Sequence, residues 1–181
     1  MLLQSNPGEL NSAAPGFSLK GIDGKFYSLE DFSGDKILAV IFMCNHCPYV
    51  KAVAKRFVTL QLKFTDKKIR LIGISPNDVI AYPEDSYENM KIFASEYELN
   101  FPYLIDESQQ TAKNYGAVCT PDIYVYNEER KLKYRGRLDD NWQDESKVKS
   151  NDLEKAIEEI LEGKNVSFEQ IPSMGCSIKW K

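Results

Sequence analysis

Apolar residues along this chain fall into short blocks whose period changes from one block to the next. Ile37 to Met43 is an unbroken apolar run, the pattern of a central strand covered on both faces. From Pro48 onward Val50, Val53, Ala54, Phe57, Leu60 and Phe64 recur at helical spacing, with Lys51, Lys55, Arg56 and Lys63 largely off that stripe, which predicts an amphipathic helix. Ile69 to Ser75 reads as a second buried strand, followed by a loop at Pro76-Asn77-Asp78. Tyr87, Met90, Phe93, Ala94 and Tyr97 give a helix over Asp85 to Leu99. Pro102 to Asp106 reads as a short strand, and Ser108 to Tyr115 as a short helix stopped by Gly116. Two hairpins are expected: Phe17–Lys20 with Lys25–Leu29 around Gly21 to Gly24, and Ile123–Tyr126 with Leu132–Tyr134 around Asn127 to Arg130. A last helix, Asp152 to Leu161, has Ser150 or Asn151 as its cap and Gly163 as its stop. This order predicts an α/β fold: a central mixed sheet flanked by helices, with an N-terminal β-hairpin and a C-terminal tail. Residues 1–181 are expected to form one domain, its core over about 15–163. The tail, 164–181, has no clear period, although Ile178 and Trp180 predict that it docks on the body.

Composition narrows the function. The chain has 181 residues, 43% hydrophobic and 28% charged, enough for one sizeable core. A net charge of -4, with no Lys/Arg run longer than two, gives no footprint for phosphate backbones or anionic lipid, so neither nucleic acid nor membrane is expected as a partner. No apolar stretch suits a membrane helix, and the opening seven residues lack a basic flank, so a cytoplasmic protein is expected. Four cysteines without a secretory signal point to redox chemistry or metal instead of a disulfide framework.

Two of them, in Cys44-Asn45-His46-Cys47, follow the first buried strand directly and precede the helix. The nucleophile in disulfide exchange is a thiolate, and free N–H groups and the macrodipole at a helix mouth stabilise one. Cys44 is therefore expected to carry the low pKa and to attack, with Cys47, one turn inward, resolving. Pro48 in the first turn costs no helical hydrogen bond. His46, the only histidine, either adds charge beside the Cys44 thiolate, making the couple more oxidising, or is a plain turn residue.

Strand, Cys44-Asn45-His46-Cys47, helix, and later Thr120-Pro121 before a hairpin resemble the thioredoxin superfamily over nearly the whole chain. More narrowly, Ala14-Pro15-Gly16-Phe17, Tyr115-Gly116 and Tyr134-Arg135-Gly136-Arg137 resemble thioredoxin-like proteins of the alkyl hydroperoxide reductase and thiol-specific antioxidant group. The resemblance implies an oxidoreductase with antioxidant-type thiol chemistry and no bound cofactor, exchanging with a disulfide-containing protein or small molecule and re-reduced by an external thiol. It implies a cis Pro121 packed against the dithiol, with Thr120 and Asn45 contacting substrate and the backbone of Thr120 free to pair with an extended chain. Two positions depart from the pattern. The acidic residue that thioredoxins place six positions before the first cysteine is Leu38 here, and the peroxidase Pro-x-x-x-Thr-x-x-Cys pattern would put Val40 and Cys44 in the proline and threonine positions.

Two alternatives stand beside disulfide exchange. One is a thiol peroxidase using Cys47, with Arg137 in the place of the peroxidase arginine. The other is a metal-binding module drawing ligands from Cys44, Cys47, Cys119 and His46. Cys119 is either near the dithiol or a small buried hydrophobe, and Cys176 is either a resolving thiol carried by a folded-over tail or simply packed.

Overall fold

A computed structural model describes residues 1–181. Ile37–Phe42 (β4) is buried along its whole length and pairs in parallel with Ile69–Ser75 (β5), which pairs in parallel with Tyr103–Ile105 (β6). Parallel neighbours need crossovers, supplied by Pro48–Lys63 (α1) and Tyr87–Glu96 (α2). The hairpin of Ser18–Gly21 (β2) and Phe26–Ser28 (β3) extends one side through β2 and β6. Asp122–Tyr126 (β8) and Leu132–Arg135 (β9) extend the other through β4 and β8. The resulting mixed sheet has the order β3-β2-β6-β5-β4-β8-β9.

Because strand side chains alternate, β4 feeds two cores. Ile37, Ala39 and Ile41 face α1, α2 and the last helix, Asp152–Leu161 (α4), in the layer that also holds Cys44 and Cys47. Leu38, Val40 and Phe42 face the opposite layer, with Tyr115 of the short helix Gln110–Tyr115 (α3) and with Tyr124 and Tyr126. Buried side chains such as Val53, Phe57 and Leu60 on α1 contribute on the order of 1.5–3 kcal/mol each. Gly116 and Gly163 adopt φ +65 and +73 just past α3 and α4, the left-handed conformation that ends helices at glycine. The helix expected over 85–99 is shorter: Pro83–Asp85 forms a separate 3-10 turn, which frees the Asp85 carboxylate to turn inward.

The two ends of the chain differ from the expectation. Leu2–Gln4 (β1) and Met174–Ser177 (β10) are strands, and together with Cys119–Thr120 (β7) they form a second antiparallel sheet, β1-β10-β7. Neither shows a period because each is only three or four residues long and is held by backbone pairing. Beyond β10 the tail docks as expected. Ile178 is buried, its N–H donating to the Val118 carbonyl, and Lys179 N–H donates to Asn77 Oδ1 at 2.9 Å.

Candidate active site

Helix α1 begins at Pro48, so its N-cap is Cys47 and Cys44 stands three residues outside the helix. The loop between them is held by one carboxylate. Asp85 is fully buried and accepts the Asn45 N–H at 2.7 Å, the His46 N–H at 3.2 Å and the Asn77 side-chain amide at 2.7 Å, and its Oδ2 lies 2.6 Å from His46 Nδ1. Asn45 is fixed further by Glu84 O and by the Tyr103 hydroxyl, which donates to its Oδ1 at 2.9 Å. The His46 ring stacks on Tyr82 with centroids 5.6 Å apart. Asp85 had no signal in the sequence, because its partners converge from separate segments.

This network sets the charges. The Asp85 hydrogen bond raises the His46 pKa against the opposing effect of burial. Burial pushes the Asp85 carboxyl up, but His46 and Asn77 outweigh it and the net shift is down. Both shifts favour the imidazolium–carboxylate form of the pair, with His46 Nδ1 turned to Asp85.

Cys44 and Cys47 are both inaccessible to solvent. Cys44 Sγ lies 3.4 Å from Thr120 Oγ1, and Cys47 Sγ lies 3.1 Å from the Thr120 carbonyl oxygen. The Thr120-Pro121 peptide bond is cis. The neighbouring Cys47 thiol raises the Cys44 pKa well above the ordinary thiol range, helped by burial and by the Asp85 charge. The neighbouring Cys44 thiol, acting against burial, pulls the Cys47 thiol down to about 5. The direction of these shifts favours charge on Cys47, where the helix mouth alone favours Cys44. The 3.1 Å contact with the Thr120 carbonyl oxygen is one that Cys47 makes as a thiol.

The other singled-out residues lie as follows. The Thr120 edge is not free, since β10 pairs with it, Cys176 opposite Thr120. Asn45 is buried and committed within the loop. Cys119 is buried with its sulfur 3.7 Å from the Pro121 carbonyl, and burial drives its pKa far up. Arg137 pairs with Asp152 at 2.6 Å and lines, with Pro121, Tyr49 and Trp142, a cavity of about 210 Å³. Leu38 sits in the core layer across the sheet from the dithiol, and the nearby buried carboxylate is Asp85 instead. Of the four suggested metal ligands, only Cys44 and His46 gather with a further donor: their ligand atoms and an Asp85 oxygen lie within 4.8 Å of one another. A cation there would compete with His46 for Asp85.

A family model described as the AhpC/TSA family matches residues 10–135. The chain belongs to that family. It is similar to the thioredoxin-like protein YneN of Bacillus subtilis, 33% identical over 115 residues, 64% of this chain and 64% of that protein. A crystal structure of an uncharacterized conserved protein from Geobacillus kaustophilus is 42% identical and superposes with a TM-score of 0.95 over 100% of this chain and 97% of that one. The thioredoxin domain of a Bacteroides vulgatus thiol-disulfide oxidoreductase, 20% identical, covers 86% of this chain and 99% of that one with a TM-score of 0.68, which shows the thioredoxin-like fold. Peroxiredoxins and thiol-disulfide oxidoreductases are both among the distant relatives. The matched region is less than two thirds of the length of several of these relatives. The chain is a thioredoxin-like redox protein, and none of its helices is long and apolar enough to cross a membrane.

Proposed function

We propose that the protein is a thiol-disulfide oxidoreductase working through Cys44 and Cys47, with a disulfide-containing protein or small molecule as substrate and an external thiol as reductant. The observation that carries this reading is the convergence of both sulfurs on one residue beside cis-Pro121, Cys44 Sγ 3.4 Å from Thr120 Oγ1 and Cys47 Sγ 3.1 Å from the Thr120 carbonyl oxygen. In the first step the Cys47 thiolate attacks a substrate disulfide, forming a mixed disulfide and releasing one substrate thiolate. Cys44 then attacks Cys47 Sγ, giving the Cys44–Cys47 disulfide and the second substrate thiol, which leaves with the Cys44 proton. Asp85 and His46 are positioning residues, holding the loop that carries Cys44. Trapping tests this: a tagged Cys44→Ser/Cys176→Ser protein, stripped of the other two thiols of that layer, should accumulate reducible adducts on Cys47. Adducts that persist when Cys47 is also replaced would contradict it.

A second reading, thiol peroxidase, is favoured by the lowered pKa of Cys47 and by the peroxiredoxins among the distant relatives. Against it, Val40 and Cys44 stand where the peroxidase pattern has proline and threonine.

A further inference from the structure

The tail strand β10 lies along the one backbone edge at which the dithiol would meet an extended substrate. In register, Cys176 is opposite Thr120 and Ser177 opposite Cys119, and β1 closes the far side of β10 with Leu2 opposite Cys176. Directly opposed residues of an antiparallel pair project to the same face of the sheet. The Thr120 hydroxyl on that face lies 3.4 Å from Cys44 Sγ, so Cys176 points to the dithiol layer, where it packs against the core containing Cys47. Gly175 makes the approach possible: a Cβ there would fall 1.9 Å from the Thr120 carbonyl oxygen and 3.1 Å from the Pro121 ring. The strand is thus fitted to the Thr120-Pro121 peptide. Of the three thiols gathered there, only Cys176 has solvent exposure.

We propose that Cys176 is a third redox thiol, which takes the disulfide from the dithiol and presents it to the external reductant. The proposal rests on the disulfide-exchange reading of Cys44 and Cys47. In the oxidised protein the Cys176 thiolate attacks Cys47 Sγ. A Cys47–Cys176 bond forms, the Cys44–Cys47 bond breaks, and the electron pair leaves on Cys44 Sγ, which takes up the proton that Cys176 gave up. Cys176 is oxidised and Cys44 reduced, so the step needs no outside oxidant or reductant. Burial and the nearby Cys47 thiol hold the Cys176 pKa up to about 11 in the reduced protein. An oxidised pair closed off from solvent is thereby moved to a strand that an incoming thiol can reach.

Disulfide mapping tests the relay. Reduced protein is oxidised with diamide, acid-quenched, alkylated, digested and read by mass spectrometry, as wild type, Cys44→Ser, Cys176→Ser and Cys176→Ala. Wild type should yield both Cys44–Cys47 and Cys47–Cys176 peptides, and Cys44→Ser chiefly Cys47–Cys176. Both Cys176 variants should yield only Cys44–Cys47, re-reduced by glutathione about tenfold or more slowly than wild type. If wild type forms Cys44–Cys47 while Cys176 stays fully alkylatable in wild type and in Cys44→Ser, or if re-reduction is unchanged in the Cys176 variants, the relay is wrong and the dithiol reading stands. A wild type that forms neither bridge overturns both.

Discussion

His46 Nδ1 and Asp85 Oδ2 are 2.6 Å apart, one side chain partly exposed and the other wholly buried. The pair fastens the loop carrying Cys44 to the turn before α2, and it gives the chain's single histidine a buried carboxylate as its partner. The raised His46 pKa means that its contribution to stability is full below the unfolded value of about 6.5 and is lost as pH rises through the higher folded value. The lowered Asp85 pKa means that its contribution is present above the unfolded value of about 3.9 and is lost as pH falls through the lower folded one. Titration of the histidine ring protons by NMR should therefore give one midpoint above about 6.5, which falls in Asp85→Asn. An unchanged midpoint in that variant would remove Asp85 as its cause.

Charge on Cys47 predicts where the reduced protein reacts. Thiolate absorbance should titrate with a midpoint near about 5 and vanish in Cys47→Ser. Brief alkylation at neutral pH, slowed by burial, should label Cys47 before Cys44. Labelling of Cys44 first would restore the assignment expected from a helix-mouth cysteine.

Much of this site was legible in the chain. The apolar run of β4, the two intervening residues of the dithiol, Pro48 and the α1 stripe are local signals, and the family resemblance pointed to Thr120-Pro121. Asp85 and β10 were not, for the same physical reason. Asp85 matters only because Asn45, His46 and Asn77 converge on it, and β10 only because its backbone meets β7 more than fifty residues away in sequence. Without β10 and Asp85 in view, the ordering of Cys44 and Cys47 could be argued from the helix terminus alone, which favours Cys44, whereas the shifts in the folded protein favour Cys47.

Gly175 offers a test of the strap itself. A Cβ cannot be placed 1.9 Å from the Thr120 oxygen without backbone movement, so Gly175→Ala should cost about 1–3 kcal/mol in denaturant unfolding. Alkylation of Cys44 and Cys47 should also become faster as β10 loosens. Unchanged stability together with an unchanged alkylation rate would mean that β10 does not press on that peptide.

Hydrogen peroxide separates the two readings of Cys47. Oxidation is expected at a rate ordinary for an exposed or slowly exposed thiol, without saturation. Rapid saturable turnover, lost in Cys47→Ser and kept in Cys44→Ser, would favour the peroxidase.

The central claim is that Cys44 and Cys47 form one reversible two-electron couple. The direct measurement is equilibration of Cys176→Ser protein against glutathione buffers at pH 7, with each cysteine's state read by alkylation and mass. Cys44 and Cys47 should become protected together as a single bridge. A low Cys47 pKa stabilises the reduced form, so the midpoint should fall at roughly -240 to -190 mV, more oxidising than the about -270 mV of thioredoxin. Independent oxidation of the two cysteines, with no bridge at any glutathione ratio, would contradict the account.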